Sequence, residues 1–377
     1  MLLQRRTFLF AATAAPWVSN AAAAEAGVSD KELVIGQTAI LSGPLGVPVN
    51  ARMAGAQLAF AESRRQGGIF GRNVRIVAMD DELKPERALA NYEKLISEER
   101  VLAFFGCGGS ATTAAAAGLL ERGGAPLIGG FAVADSAREK VKSSAYFLRA
   151  TSQREADVLV QHLATIGVER VAVAYLDNPG GTEALEMVKK AMTRNRMTPH
   201  AAVAVKGDGS NVRDAAKALA ERPPQAILMY LGGPLPGELI KATAETSSRP
   251  MWYGMSIVGG ELTAKVAGEK ARGLVIAQVV PYPWNQSDAV ASEFRALAAR
   301  TQVPVDYYTF EGYLTGQLLL EALRRTGRDV NRAKLQATMR SLKFRLGNLN
   351  VDFSGGSGTG SEYVELVQVT QDGRFIR

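Results

Sequence analysis

Along most of the chain the hydrophobic pattern switches between two periods. Short apolar runs at 33–38, 74–79, 101–105 and 126–128 read as strands. Between them, 50–66, 86–98 and 111–122 carry apolar residues at helical spacing; in the first, these are Met53, Ala56, Leu58, Ala59 and Phe60. The pattern then restarts. Helices are expected at 153–166, 183–195 and 212–221, alternating with strands at 170–175, 201–205 and 226–230 and followed by a strand at 251–253. Strands this apolar, separated by helices, belong in parallel sheets covered on both faces. The two runs look like two copies of one plan. The chain crosses between them at 145–151 and again near 279–283, where Pro281 and Pro283 punctuate it. Further helices at 289–300 and 311–326 precede a tail with strand alternation at 349–353 and 363–370, split by a glycine-rich turn at 354–360. Two similar α/β lobes joined by several crossings suggest a ligand cleft between them, where strand carboxyl ends meet helix amino ends.

The first 24 residues follow neither period. Arg5 and Arg6 lead into an apolar run from Phe8 to Val18, and Ala21, Ala22, Ala23 and Ala24 close it. A positive start, an apolar stretch too short to span a membrane and a small-residue end predict an export signal cleaved near Ala23 or Ala24. The paired arginines before Thr7-Phe8-Leu9 resemble a twin-arginine signal. The expected destination is the periplasm. Cleavage would leave 353 residues, enough for two domains.

Charge and cysteine content narrow the choices. The formal net charge of +7 falls to +5 without Arg5 and Arg6, and basic residues are interleaved with acids. That is a solvated surface, with no nucleic-acid footprint. Cys107 is the only cysteine and reads as a small buried residue, so the fold rests on its hydrophobic core without an internal disulfide. His162 and His200 lie far apart in sequence, which disfavours a metal cluster or a catalytic histidine.

Two enzyme-like motifs weaken on inspection. Gly106-Cys107-Gly108-Gly109-Ser110-Ala111 fits a dinucleotide-binding turn. The following strand, however, ends Ile128-Gly129-Gly130-Phe131 without the acid that would hold a ribose, so an exported dinucleotide oxidoreductase is only a remote rival. Gly254-Met255-Ser256 lacks the second glycine of a nucleophile elbow. No enzyme and no cofactor are expected.

Other residues carry a family likeness over nearly the whole chain after residue 24. In order they are Ile35-Gly36-Gln37-Thr38, Leu41-Ser42-Gly43-Pro44, Gly55-Ala56-Gln57-Leu58-Ala59, Gly67-Gly68-Ile69-Phe70-Gly71-Arg72, Asp80-Asp81, Phe105-Gly106 before Ser110, and Phe147-Leu148-Arg149-Ala150-Thr151. Together these resemble the branched-chain amino-acid (Leu/Ile/Val) binding proteins of ABC importers, which are type I periplasmic binding proteins. The resemblance implies an α/β fold of two Rossmann-like lobes joined by a three-stranded hinge. The first lobe would hold 32–150 and 280–337, the second 151–279 and 338–377. It further implies a small-molecule ligand bound by hinge closure, an inner-membrane ABC permease as partner, and a monomer. A periplasmic sensor of the same fold, feeding a regulatory partner, is the alternative reading.

The expected ligand contacts follow from both sources. Leu45 lies in a turn-rich loop after the first strand, and Ser110, with Ala111 and Thr112, sits where a hydroxyl caps a helix amino end suited to a carboxylate. In the family the next loop adds contacts, here Phe131, Ala132 and Val133, with Val133 where relatives carry a threonine. The second lobe would close through Gly180, Gly233, Met255 and Ser256. In the family an aromatic near Tyr308 or Phe310 packs on the ligand; core packing is the alternative for these rings. Relatives that bind α-amino acids set a carboxylate against the ammonium in the loop that here reads Gly254-Met255-Ser256-Ile257-Val258, with no acid until Glu261. An ammonium buried without a counter-charge costs several kcal/mol. An amine-free aliphatic or aromatic acid therefore fits this chain better.

Overall fold

The computed structural model describes residues 26–131, 133–370 and 374–377. The expected export signal and Ala132 lie outside the described residues.

The first half runs β1 (Glu32–Ala39), α1 (Gly43–Arg65), β2 (Asn73–Asp80), α2 (Pro85–Ser97), β3 (Ala103–Phe105), α3 (Ser110–Ala115), α4 (Ala117–Gly123), β4 (Leu127–Ile128), α5 (Asp135–Val141) and β5 (Ala145–Tyr146). Its five strands are parallel, in the order β2-β1-β3-β4-β5. The second half repeats the plan with α6 (Ser152–Thr165), β6 (Val171–Leu176), α7 (Pro179–Arg194), β7 (Ala201–Val205), α8 (Val212–Glu221), β8 (Ala226–Tyr230), α9 (Leu235–Ala244), β9 (Met251–Gly254), α10 (Gly260–Ala267) and β10 (Val275–Gln278). Its parallel strands follow the same order, β7-β6-β8-β9-β10. The internal duplication read from periodicity is thus a duplication of topology.

The chain then returns to the first lobe with α11 (Ala289–Thr301), α12 (Tyr307–Thr326), α13 (Arg332–Ser341) and the ribbon β11 (Lys343–Leu346)–β12 (Leu349–Asp352). Finally β13 (Glu365–Val369) and β14 (Phe375–Ile376) extend the second sheet antiparallel from β10. The stretch after β12 stays with the first lobe. Phe353 packs edge-on against Tyr146, the Phe147 N–H donates to the Gly358 carbonyl at 2.7 Å, and the Gly360 N–H donates to the Phe147 carbonyl at 2.8 Å. The third crossing therefore falls after Gly360 rather than near residue 338, and it runs beside the first. Two α/β lobes linked by three crossings are the result.

Helices α1 and α12 pack at unusually close range, because glycine replaces a side chain on each. A Cβ at Gly55 would overlap the Thr309 carbonyl, and one at Gly312 would overlap the Arg52 carbonyl. This approach fixes the register of two helices that both carry site residues. Overpacking such a contact typically costs about 1–3 kcal/mol. Gly312→Ala is expected to fall at the upper end, about 3 kcal/mol, because only backbone could yield; a urea unfolding series checks it.

Candidate functional site

In an open parallel sheet of this strand order, the crevice lies at the carboxyl ends of the two strands where the order reverses. Here both lobes present that edge to each other. After β1 and β3 come Ile40, Leu45 and the Gly108–Thr112 segment; after β6 and β8 come Asn178, Gly180, Gly232 and Gly233. All of them line one cavity of about 440 Å³. Its remaining walls are largely apolar, including Pro48, Val49, Leu83, Phe131, Leu176, Ile257 and Tyr308. The lobes are closed around it. A Cβ at Gly233 would lie 3.6 Å from Leu45 Cδ2, and one at Gly180 would lie 3.5 Å from Ser110 Oγ. The Ser136 N–H donates to the Glu183 carboxylate at 2.8 Å, with the Ser136 hydroxyl donating to the same carboxylate. Tyr308 donates its phenol to the Ile257 carbonyl at 3.2 Å.

Of the residues expected from sequence, Leu45, Ser110, Ala111, Thr112, Phe131, Gly180, Gly233 and Tyr308 line this cavity. Their local structure differs from expectation. Leu45 belongs to the first turn of α1, since the helix begins at Gly43, directly after Ser42, and accepts Pro44 in its first turn. The helix expected at 111–122 breaks at Ala116 into two short pieces, α3 and α4. Gly109, at φ 93°, takes the capping position, and Ser110 is the first helical residue. Its Oγ accepts the Ala134 N–H at 2.9 Å, which leaves the hydroxyl proton for a ligand. The Thr112 hydroxyl is turned inward, donating to the Gly108 carbonyl at 2.7 Å.

Five expectations need correction. Phe310 is a core residue: it packs on Phe294 at 5.0 Å between centroids and is 1% exposed. Val133, Met255 and Ser256 line a separate, much smaller cavity behind Arg149 rather than the main one. Met255 is buried in the second lobe's core. Ser256 is consumed by Glu155, donating its N–H at 2.6 Å and its hydroxyl at 2.9 Å. Tyr307, Tyr308 and Phe310 lie within the first turn of α12, not before it, because Asp306 and Thr309 form a capping box there.

Sequence reasoning missed the charged floor. Arg52 on α1 donates through Nε to Glu311 on α12 at 2.8 Å. Its guanidinium lies over the rings of Tyr308 and Phe131, at 4.3 and 5.0 Å. Arg149, in the first crossing, sits 3.6 Å from Glu311 of the first lobe and 3.4 Å from Glu155 of the second. Burial alone would raise the Glu311 carboxyl, but Arg52 and then Arg149 hold it below the usual range. Burial pulls Arg149 down, and Glu311 and Glu155 together carry it above its ordinary value. Tyr230 joins the same wall, and burial followed by the Glu155 charge pushes its phenol up to about 12. A readable signal did exist. Arg52 stands on the apolar stripe of α1 with Ala56 and Ala59, Glu155 on that of α6 with Leu159, and Glu311 beside Leu314 on α12. Charges on a buried helical face require partners.

The acids answer the question of a counter-charge. Glu155 and Glu311 are engaged by arginines, and Glu183 by Ser136. Glu261 does not line the cavity. Burial, and then Asp306, push its carboxyl up to about 8, and its Oε1 has no hydrogen-bond partner among the described residues.

Two lobes of this topology, hinged and closed on a solute-sized apolar cavity with arginines at its floor, define a two-lobed ligand receptor. The family described as periplasmic binding protein matches residues 32–374, and the chain belongs to it, as a type I member of the branched-chain amino-acid binding group. The Leu/Ile/Val-binding protein of Escherichia coli is 23% identical over 322 residues, 84% of each chain. A substrate-binding periplasmic protein from Ralstonia solanacearum superposes with a TM-score of 0.85 at 28% identity, covering 91% of this chain and 99% of that one. An ABC-transporter solute-binding protein of R. palustris in complex with 4-hydroxybenzoate shares the fold at a TM-score of 0.79 and 19% identity, covering 92% of this chain and 95% of that one. These relatives are solute-binding proteins, and the family places its members in the periplasm. Among the described residues no helix is long and apolar enough to cross a membrane.

Two outcomes follow from the buried charges. Glu311→Gln leaves two buried guanidinium groups short of a counter-charge, so unfolding free energy should fall by about 3 kcal/mol in urea titration. Glu261 binds its proton more tightly folded than unfolded, so its contribution is intact below about 4.5 and is lost as pH rises toward about 8. The gap in melting temperature between Glu261→Gln and wild type should therefore widen from pH 5 to pH 8 in favour of the variant and then level off.

Proposed function

We propose that this protein is the extracytoplasmic solute-binding component of an ABC importer, and that it takes a small carboxylate-bearing solute lacking an α-amine. The observation that carries the reading is the cavity's chemistry. Apolar walls meet a floor with Arg149, Tyr230 and the Ser110 hydroxyl, and every acid at or near the cavity already has a partner or stands outside it. A carboxylate finds donors in the Ser110 hydroxyl and the Tyr230 phenol, beside the paired Arg149. At that floor an ammonium meets no carboxylate without an arginine partner, and burying it so costs several kcal/mol. The one carboxylate with only neutral donors, Glu183, lies at the rim.

Ligand contacts are assigned to Leu45, Ser110, Ala111, Phe131, Gly180, Gly233, Arg149, Tyr230 and Tyr308. The solute first meets the first lobe through Ser110 and Phe131. Closure then brings up Gly180 and Gly233, whose missing side chains let backbone approach the ligand closely. Ser136–Glu183, Tyr308–Ile257 and Leu45–Gly233 form only when the lobes meet, so each stabilises the closed population. The closed form is then the one delivered to an inner-membrane permease. The 4-hydroxybenzoate bound by the R. palustris protein supports an amine-free acid as a ligand compatible with this fold.

Thermal shift and calorimetry with leucine, valine, 4-methylpentanoate, benzoate and 3-phenylpropanoate test the reading. A ligand at 100 times its Kd adds about 2.7 kcal/mol of stability. Amine-free acids should raise Tm by several degrees, and leucine and valine by much less. A large shift with leucine or valine alone would overturn the amine-free assignment.

A further inference from the structure

The cavity is larger than a branched-chain amino acid requires, and its outer end carries a cation that no group among the described residues engages. Even at a full water's share of about 30 Å³ per non-hydrogen atom, the nine such atoms of leucine fill about 270 Å³. The cavity offers about 440 Å³, room for about fifteen even at that generous share. Four charged side chains line it: Arg52, Arg149, Lys140 and Glu183. Arg52 is paired with Glu311, Arg149 with Glu311 and Glu155, and Glu183 receives the Ser136 N–H and hydroxyl. Lys140 has no ion-pair or hydrogen-bond partner among the described residues. It lies on α5 four residues after Ser136, hence on the same helical face, at the rim where the lobes meet. The Glu183 carboxylate on that rim keeps its charge, since its hydrogen-bond donors on Ser136 are neutral. No ion pair joins it to Lys140 among the described residues, however, so the ammonium is left to face whatever fills the mouth.

Resting on the carboxylate reading above, we infer that the solute is two-headed. It is an elongated acid of roughly twelve to fifteen non-hydrogen atoms, with one carboxylate at the arginine-bearing floor, an apolar body along Leu83, Phe131 and Leu176, and a second anionic group at Lys140. Lys140 is thus a specificity-determining residue for the far end of the ligand. An ammonium on a flexible stem suits this place, because it reaches groups at somewhat different depths and stays hydrated when the cleft is open.

Matched probes separate this from the parent reading. Decanoate and decanedioate, and cinnamate and 4-carboxycinnamate, differ within each pair only by the far carboxylate. Calorimetry on the full chain should give the two-headed member three- to tenfold tighter binding in each pair, with a gap that shrinks as salt is raised. Lys140→Met and Lys140→Gln, at an exposed helical position, should bring the two-headed probes to the affinity of their one-headed partners. If the one-headed acids bind and the far carboxylate adds nothing, or if the gap survives in both Lys140 variants, the two-headed assignment is wrong while the carboxylate reading stands. If none of the four acids binds and leucine does, both are wrong.

Discussion

Arg149 is the point on which the two lobes and the cavity agree. It lies in the first crossing, buried, with a glutamate from each lobe on either side: Glu311 from α12 and Glu155 from α6. Burying these three charges, with Arg52 as a fourth, is expensive, and an ion pair in a low-dielectric interior recovers that cost only with good geometry and further hydrogen bonds. Those bonds are present. Ser256 donates twice to Glu155, Arg52 donates to Glu311, and the Arg52 guanidinium lies over two aromatic faces. A planar, permanently charged guanidinium suits this role better than an ammonium would, since it can address two carboxylates at once. The consequence is mechanical as well as electrostatic: the hinge, the helix pair α1–α12 and the floor of the cavity cannot move independently.

The rest of the architecture serves that junction. Because both sheets have the same strand order, each turns its topological switch point toward the other, and one cavity collects loops from β1, β3, β6 and β8. Glycines at 180 and 233 keep the second lobe's side of the gap thin, while Phe131, Tyr308 and Tyr230 give the cavity its walls. The cleft is therefore mostly apolar with charge concentrated at its two ends. Such a division orients an amphipathic solute without demanding many directional contacts.

Much of the fold was legible because it depends on local periodicity. Alternating apolar strands and amphipathic helices, repeated twice, led to two lobes, and the glycine-rich loops after the strands led to Ser110, Gly180 and Gly233. The failures share one cause. Tyr308 and Phe310 are two residues apart on one helix, so their side chains diverge by about 200°: one reaches the cavity, the other the core beside Phe294. Telling them apart needs the rotation of α12 against α1, which is set by Gly55 and Gly312 meeting backbone across the interface. The 111–122 helix failed for a related reason. Its alanine-rich composition favours helix over most of its length, and although Gly118 weakens it, that glycine does not itself place the break at Ala116.

The amino-acid sequence by itself determined the elements, their duplication, the family and the neighbourhood of the cleft, because periodicity, glycine placement and motif order act over short distances. Tertiary structure alone decided which charges meet. Arg52 and Glu311 are 259 positions apart, and Glu155 and Ser256 are 101 apart. No local pattern couples such pairs; only the packing of two lobes through three crossings brings them to hydrogen-bond distance. That packing also decides that the Glu261 carboxylate is buried outside the cavity and that Lys140 lines it, because both placements depend on where the second lobe comes to rest against the first.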